Sequence, residues 1–313
     1  MSILKLCAPT KDYLWGGNRL VKEFGKLSAG AATAESWELS CFPRSESVID
    51  NGEFAGKTLS AYINHFGKSI LGNNCKNFEK FPVLVKLIDA MQDLSIQVHP
   101  SDEYALKNEN QYGKTEMWYI IDAEKDAFLY YGFNREIAKE EFKRRIIDQT
   151  LPEVLCKKYV KKGDVIFIES GTIHAIGKGI LLAEIQQNSN ITYRVYDYGR
   201  KDKDGRFREL HIDNALDVTC LGPVEEFPNH SNHLAKCKYF TVDKISNNCD
   251  ISNSFKGNVG NDTFLHILIL DGEGLIKNNN NTINYKKGDS FFIPAGSGEY
   301  EIKGTYEALM TYV

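Results

Sequence analysis

Long apolar runs are missing from this chain. No stretch reaches the eighteen or so consecutive apolar residues that a membrane-spanning helix needs, so no span is expected. The opening stretch MSILKLCAPTKDYLWGG has neither a long apolar core nor a small-residue cleavage site, and no signal peptide is read from it. Cysteine motifs are absent too. The seven cysteines, at 7, 41, 75, 156, 220, 237 and 249, stand singly, and no CxxC occurs. An odd, scattered set suits free thiols in a reducing cytoplasm and argues against a disulfide framework or a cysteine zinc site. Blocks of positive charge are also lacking. The 38 basic and 42 acidic residues leave a net charge of −4, with no basic half or tail. Nucleic acid is therefore not an expected partner. A small anionic substrate stays open, because a local pocket needs only a few basic residues.

What is present reads as a globular chain rich in strands. Its 313 residues suffice for one large domain or two ordinary ones. The runs 82–90, 94–100, 116–122, 127–133, 164–170, 180–187 and 191–198 are rich in β-branched and aromatic residues and bounded by turn formers. Helix-type spacing marks 58–72 and 135–148. The segment 101–110 opens on a capping serine, Ser101, with acids in its first turn. A short helix is expected at 211–219 and a polar linker at 221–233. LHILILDGEG (265–274) reads as a hairpin, and the asparagine-rich 276–285 as an exposed hairpin turn.

The chain also repeats itself. KKGDVIFIESGTIHAIGKG (161–179) and KKGDSFFIPAGSGEYEIKG (286–304) share one template. A Gly-Asp turn opens an apolar strand, and a second glycine turn follows. The first copy then places His174 three residues after Gly171; the second has Glu299 at the matching place after Gly296. Two such units suggest a mainly β protein of two related jelly-roll β-barrel domains with a few short helices. One keeps a histidine and the other does not.

Four polar residues can converge inside the first barrel: Gln97, His99, Glu116 and His174. In SIQVHPSDEY, Gln97 and His99 fall on one face of a strand that should be apolar. Alternate residues of a small barrel's strands face its interior. Singly, each has a blander reading: a hydrogen-bonded histidine, a solvated glutamate, an ordinary polar glutamine. Jointly they offer two nitrogens and two oxygens, a set that suits Zn²⁺, with Mn²⁺ and Fe²⁺ also open. The other histidines, 65, 211, 230, 233 and 266, read as structural or surface residues. His230 and His233 are spaced for a helix face in a loop-like segment, so no second metal site is expected.

The first copy closely resembles the second metal-binding motif of the cupins, in which glycine, five residues, proline, one residue, glycine, two residues and histidine follow in order. Gly163, Gly171 and His174 match, and Glu169 replaces the proline. The second copy keeps Gly288, Pro294 and Gly296 but not the histidine. Within the cupins, the chain resembles the class I mannose-6-phosphate isomerases of the short bacterial type. The resemblance is carried by YLWGGNRL (13–20), AESWELS (34–40), PVLVKLIDA (82–90), IQVHPSDEYA (96–105), GKTEMWYI (113–120), SGTIHAIG (170–177) and TYRVYDYGR (192–200). Long members carry an inserted helical domain and a proline in their Lys-x-Glu motif. This chain is too short for the insertion and has Thr115 there.

The resemblance implies two cupin domains. Residues 1–225 would form a metal-binding catalytic domain with helical insertions, and 236–313 a degenerate domain without metal. It further implies one zinc per chain on Gln97, His99, Glu116 and His174, an essential Arg194, and reversible conversion of mannose 6-phosphate to fructose 6-phosphate. Such an aldose–ketose exchange passes through an enediol and needs an acid or base and a holder for the developing negative oxygen. Lys114 shares a strand face with Glu116 and is one candidate for proton transfer. Lys86 is a second, with a snorkelling lysine at a strand end as its alternative. Arg194 suits charge stabilisation of the enediolate or the phosphate, with an ion pair to Asp197 or Glu184 as its alternative. Trp15 and Trp118 either shape the sugar pocket or pack in the core. A sugar-binding cupin without turnover and an iron dioxygenase are the competing classes. The first would lack part of the set, and the second would prefer histidine at position 97. The partner that the resemblance implies is a small sugar phosphate, and a monomer and a homodimer are both open.

Overall fold

The computed structural model describes residues 2–201, 204–225, 231–247, 254–279 and 281–313. The fold is mainly β, of the jelly-roll kind, with a few short helices. The chain gathers into two compact units. A mid-chain unit holds 12–17 and 88–228; a terminal unit holds 1–11, 18–87 and 229–313.

In the mid-chain unit five antiparallel strands lie in the order Tyr193–Tyr196, Ile96–Val98, His174–Ile176, Phe128–Phe133 and Leu155–Tyr159. A further group sets Glu116–Ala123 between Val165–Ile168 and Ile180–Gln187. Tyr193–Tyr196, Ile96–Val98, Phe128–Phe133, Val165–Ile168 and Ile180–Gln187 fall within the runs predicted from sequence and Glu116–Ala123 overruns one by a residue, whereas His174–Ile176 and Leu155–Tyr159 lie outside them. Alternation decides what each face does. Ile96, Val98, Ala175, Tyr193 and Val195 of the five-stranded sheet bury themselves with Phe142 and Ile146 of the helix Lys139–Ile147 and Ala215 of the helix Ile212–Val218. The helix Asp102–Asn108 adds Ala105 to this cluster, and Ser101 Oγ caps it by accepting the Tyr104 N–H at 3.5 Å. With that face filled, the alternating residues Gln97, His174 and Arg194 point to the other side.

The terminal unit is a sandwich. Ile267, Ile269, Phe291, Ile293, Ala308 and Met310 of a seven-stranded sheet pack on Val259, Ile276, Tyr300 and Ile302 of a four-stranded sheet. Its make-up differs from the predicted division into 1–225 and 236–313. The strand Leu4–Cys7 pairs with Ser290–Ile293, Leu4 opposite Phe292 and Leu6 opposite Ser290. Lys5 Nζ adds an ion pair to Asp289 at 2.8 Å. The N-terminal strand thereby joins the C-terminal sheet. LHILILDGEG is not a hairpin either. Leu265–Asp271 belongs to the seven-stranded sheet and Glu273–Asn278 to the four-stranded one, so the chain changes sheet at Gly272. The asparagine-rich hairpin does form, with Asn278 opposite Asn281. Of the predicted linker, 226–230 lie outside the described residues, and His233 opens the strand His233–Lys236.

The repeated template folds the same way twice. Asp164 Oδ2 accepts the Lys161 N–H and Asp289 Oδ2 accepts the Lys286 N–H, each at 2.9 Å. Both turns place their glycine, Gly163 and Gly288, at a φ near +90°, a region that side chains resist. The copies then part: His174 is fully buried, whereas Glu299 is exposed.

One buried group in the terminal unit makes stability depend on pH. His266 has no solvent exposure, and its Nε2 lies 2.9 Å from Ser290 Oγ. Burial lowers its pKa to about 3, so it is neutral when folded. Unfolded, it titrates near about 6.5. Below that value the unfolded chain takes up the proton first, and stability falls as pH drops toward about 3. Urea unfolding at a series of pH values in this window should show wild type losing about 1.4 kcal/mol more per pH unit than His266→Leu. Parallel slopes would contradict this reading.

Candidate metal centre

His99, Glu116 and His174 meet in the mid-chain unit with one donor atom each, all within 4.8 Å of one another. None is more than 1% exposed. Local structure brings each there. His99 follows the strand Ile96–Val98, and the Gly171 N–H ties back to the His99 carbonyl at 2.8 Å. Glu116 opens its strand, and His174 opens the next after the glycine turn. Gln97 is half-buried and lies directly opposite His174 on one side and Arg194 on the other. Arg194, Gln97 and His174 thus form one row across three strands.

The proton on His174 can be placed. Its Nδ1 lies 2.9 Å from the Thr172 carbonyl, which only accepts, so Nδ1 carries the hydrogen. Burial pulls the imidazole pKa down to about 4, which keeps the ring neutral. Its Nε2 is then a bare lone pair, without a hydrogen bond, 3.3 Å from Glu116 Oε1. Two acceptors face each other at that distance, an arrangement that a cation between them relieves. A carbonyl holding the far ring nitrogen is also how metal-ligating histidines are usually oriented. Lys114 stands beside two carboxylates, 2.8 Å from Glu116 Oε2 and 3.8 Å from Glu184 Oε1. The residues present therefore fit a divalent metal.

Lys114 Nζ also lies 3.1 Å from His99 Nε2, so it stands within the donor cluster. Glu184 is not the partner of Arg194 that the sequence offers. It lies opposite Trp118 across the sheet and accepts the indole N–H at 3.1 Å. Trp118 in turn sets its ring edge-on to His174, centroids 5.4 Å apart. It is a packing and orienting group at the cluster. The available signal was alternation: Glu184 and Gln186 are polar at every second position of an apolar strand, and Gln186 lies opposite Glu116.

Arg194 makes no ion pair with either predicted partner. Its Nε donates to Ser95 Oγ at 3.3 Å and its Nη1 to the Glu209 carbonyl at 3.0 Å. Asp197 is taken by Arg200 at 2.6 Å and by Arg208 at 2.7 Å. Burial and the charge of Arg208 hold the Arg194 pKa below its ordinary value. Among the described residues the guanidinium is bonded to no carboxylate oxygen, an arrangement that suits it to a further anion.

Lys86 belongs to the terminal unit, buried in mid-strand, with Nζ 3.9 Å from Glu35 Oε2 and 5.2 Å over the Trp37 ring. It is not a snorkelling side chain. Trp15 is buried, and its carbonyl accepts the Met91 and Gln92 N–H groups at 3.0 Å each. The structure groups it with that turn and with Tyr13, 5.6 Å away ring to ring.

Paired imidazoles and a carboxylate within antiparallel sheets, one histidine delivered by a Gly-x₂-His turn, define a candidate metal site in a cupin-type fold. Comparison with known proteins narrows the class. Residues 3–127 match the family "Phosphomannose isomerase type I, catalytic domain", and 230–313 match "Mannose-6-phosphate isomerase, cupin domain". The chain is 40% identical over 315 residues to mannose-6-phosphate isomerase ManA of Bacillus subtilis (strain 168), covering 97% of this chain and 96% of that one. The crystal structure of the mannose 6-phosphate isomerase from Bacillus subtilis superposes with a TM-score of 0.91 at 34% identity, over the whole of both chains. A zinc-bound mannose 6-phosphate isomerase shares the fold, with a TM-score of 0.78 at 16% identity over 100% and 99%. The chain belongs to the type I phosphomannose isomerase family and is an isomerase of that family.

Proposed function

We propose that the chain interconverts mannose 6-phosphate and fructose 6-phosphate through an enediol, with one Zn²⁺ held by Gln97, His99, Glu116 and His174. The observation that carries the metal is the bare Nε2 of His174 facing Glu116 at 3.3 Å. A zinc ion there would supply a Lewis acid for the carbonyl and hydroxyl oxygens of the sugar without redox chemistry. Lys114, 2.8 Å from Glu116, is the group we assign to holding and returning the proton that moves between adjacent sugar carbons. Arg194 offers its planar guanidinium to the enediolate or the phosphate, because among the described residues it bonds to a hydroxyl and a carbonyl and not to a carboxylate. Lys86 keeps a structural role on this reading, bound to Glu35 and Trp37. The six described cysteines are free thiols, which supports a cytoplasmic enzyme.

Incubation with mannose 6-phosphate in deuterium oxide tests both halves. Fructose 6-phosphate should form and carry solvent deuterium at C1. No fructose 6-phosphate would refute the substrate, and product free of deuterium would refute the exchanging enediol.

A further inference from the structure

The strand Tyr193–Tyr196 is the edge of its sheet. It pairs with Ile96–Val98 on one side only, so backbone groups turned outward need other partners. At Arg194 both are met by one residue. The His211 N–H donates to the Arg194 carbonyl at 2.8 Å, and the Arg194 N–H donates to His211 Nδ1 at 3.2 Å. His211 thus completes a strand-like pair in which a ring nitrogen replaces the usual carbonyl. With both backbone groups turned outward, Arg194 and Gln97 form a non-hydrogen-bonded pair, the kind whose side chains come closest.

The chain is folded back to make this contact. Asp197 is gripped by Arg200 and Arg208, which draws the two ends of the intervening loop together. The returning segment then gives the Glu209 carbonyl to the Arg194 guanidinium and His211 to its backbone. His211 is fixed from behind by the helix Ile212–Val218, whose Ala215 lies in the core cluster.

We infer that His211 is a positioning residue: its Nδ1 holds the Arg194 backbone in register beside Gln97, so that the guanidinium is aimed. The inference rests on the isomerase reading for what Arg194 does, but not for how His211 holds it. Nδ1 accepts only in the neutral ring that carries its proton on Nε2. The charged and titratable groups around the ring are Arg194, Glu209, Glu109 and Tyr193, the last 6.1 Å away ring to ring. Burial and Arg194 lower the imidazole's pKa, which favours the neutral form at neutral pH.

The experiment compares wild type, His211→Leu and His211→Asn. Asparagine offers a carbonyl acceptor near the Nδ1 position, whereas leucine offers none. Hydrogen exchange resolved to the Arg194 amide should quicken by about tenfold or more in His211→Leu and return to within about threefold of wild type in His211→Asn. In the same preparations kcat on mannose 6-phosphate should fall by about tenfold or more in His211→Leu with bound zinc unchanged, and recover in His211→Asn. Equal protection of the Arg194 amide in all three proteins would overturn the inference. So would kcat of His211→Leu within about twofold of wild type, or an asparagine variant no better than leucine. If His211→Leu does not fold, wild type decides: the protection factor at Arg194 must fall as acid protonates the ring, and a constant one would overturn the inference. A wild type that never makes fructose 6-phosphate refutes the isomerase reading instead, and the exchange data still decide the role of His211.

Discussion

Glu116→Gln should lower kcat/KM on mannose 6-phosphate by about a thousandfold, or about 4 kcal/mol of transition-state stabilisation. The carboxylate stands between both imidazoles, 3.7 Å from His99 Nε2 and 3.3 Å from His174 Nε2. An amide keeps its shape but removes the negative charge that draws a divalent ion to a site with neutral nitrogen ligands. Bound zinc, measured after dialysis against a weak chelator, should fall well below one per chain. A second loss follows from burial. Lys114 would keep Glu184, at 3.8 Å, but lose the carboxylate at 2.8 Å. Breaking one half of a buried pair costs about 3–5 kcal/mol, so urea unfolding of the metal-free variant should show a marked loss of stability. Full zinc content with activity within about tenfold of wild type would remove Glu116 from the metal site.

Arg194→Ala should cost about a hundred- to a thousandfold in kcat and leave zinc content unchanged. Arg194→Lys should recover little of it. The guanidinium is held by two bonds from different nitrogens, Nε to Ser95 and Nη1 to Glu209. A lysine presents a single point charge on a flexible stem and cannot make both at once. Zinc content separates this from the Glu116 variant: activity falls with the metal retained. Comparing kcat with KM then sorts the role. A loss confined to KM would assign Arg194 to holding the phosphate, and a loss in kcat to the enediolate. Lysine restoring full activity would show that charge alone matters at this position.

Much of the candidate site is legible in sequence because its signals are local. His174 is announced by a turn whose glycine must adopt a positive φ and whose aspartate caps the backbone. The same turn recurs at Asp289, where no buried histidine follows. Gln97 and His99 break the apolar pattern of one short strand. What the sequence hid depends on contacts far apart along the chain. Leu4–Cys7 pairs with Ser290–Ile293 across almost the whole chain, so no local pattern could assign the N-terminal strand to the terminal unit. LHILILDGEG looked like a hairpin because glycine between apolar runs is the hairpin signal. The chain instead turns there from one sheet to another. The sequence alone offers Glu184 to Arg194, but strand register sets it beside Trp118 and Lys114. His211 read as a bland surface residue, because its role lies in the edge of a strand seventeen residues earlier.

On the reading proposed above, Gln97, His99, Glu116 and His174 work through a bound metal. The most direct test is fructose 6-phosphate formation from mannose 6-phosphate by the purified protein, before chelation, after chelation, and after zinc is returned. Activity should disappear with the chelator and come back with zinc at about one ion per chain. Undiminished turnover by protein shown to be free of metal would contradict the account.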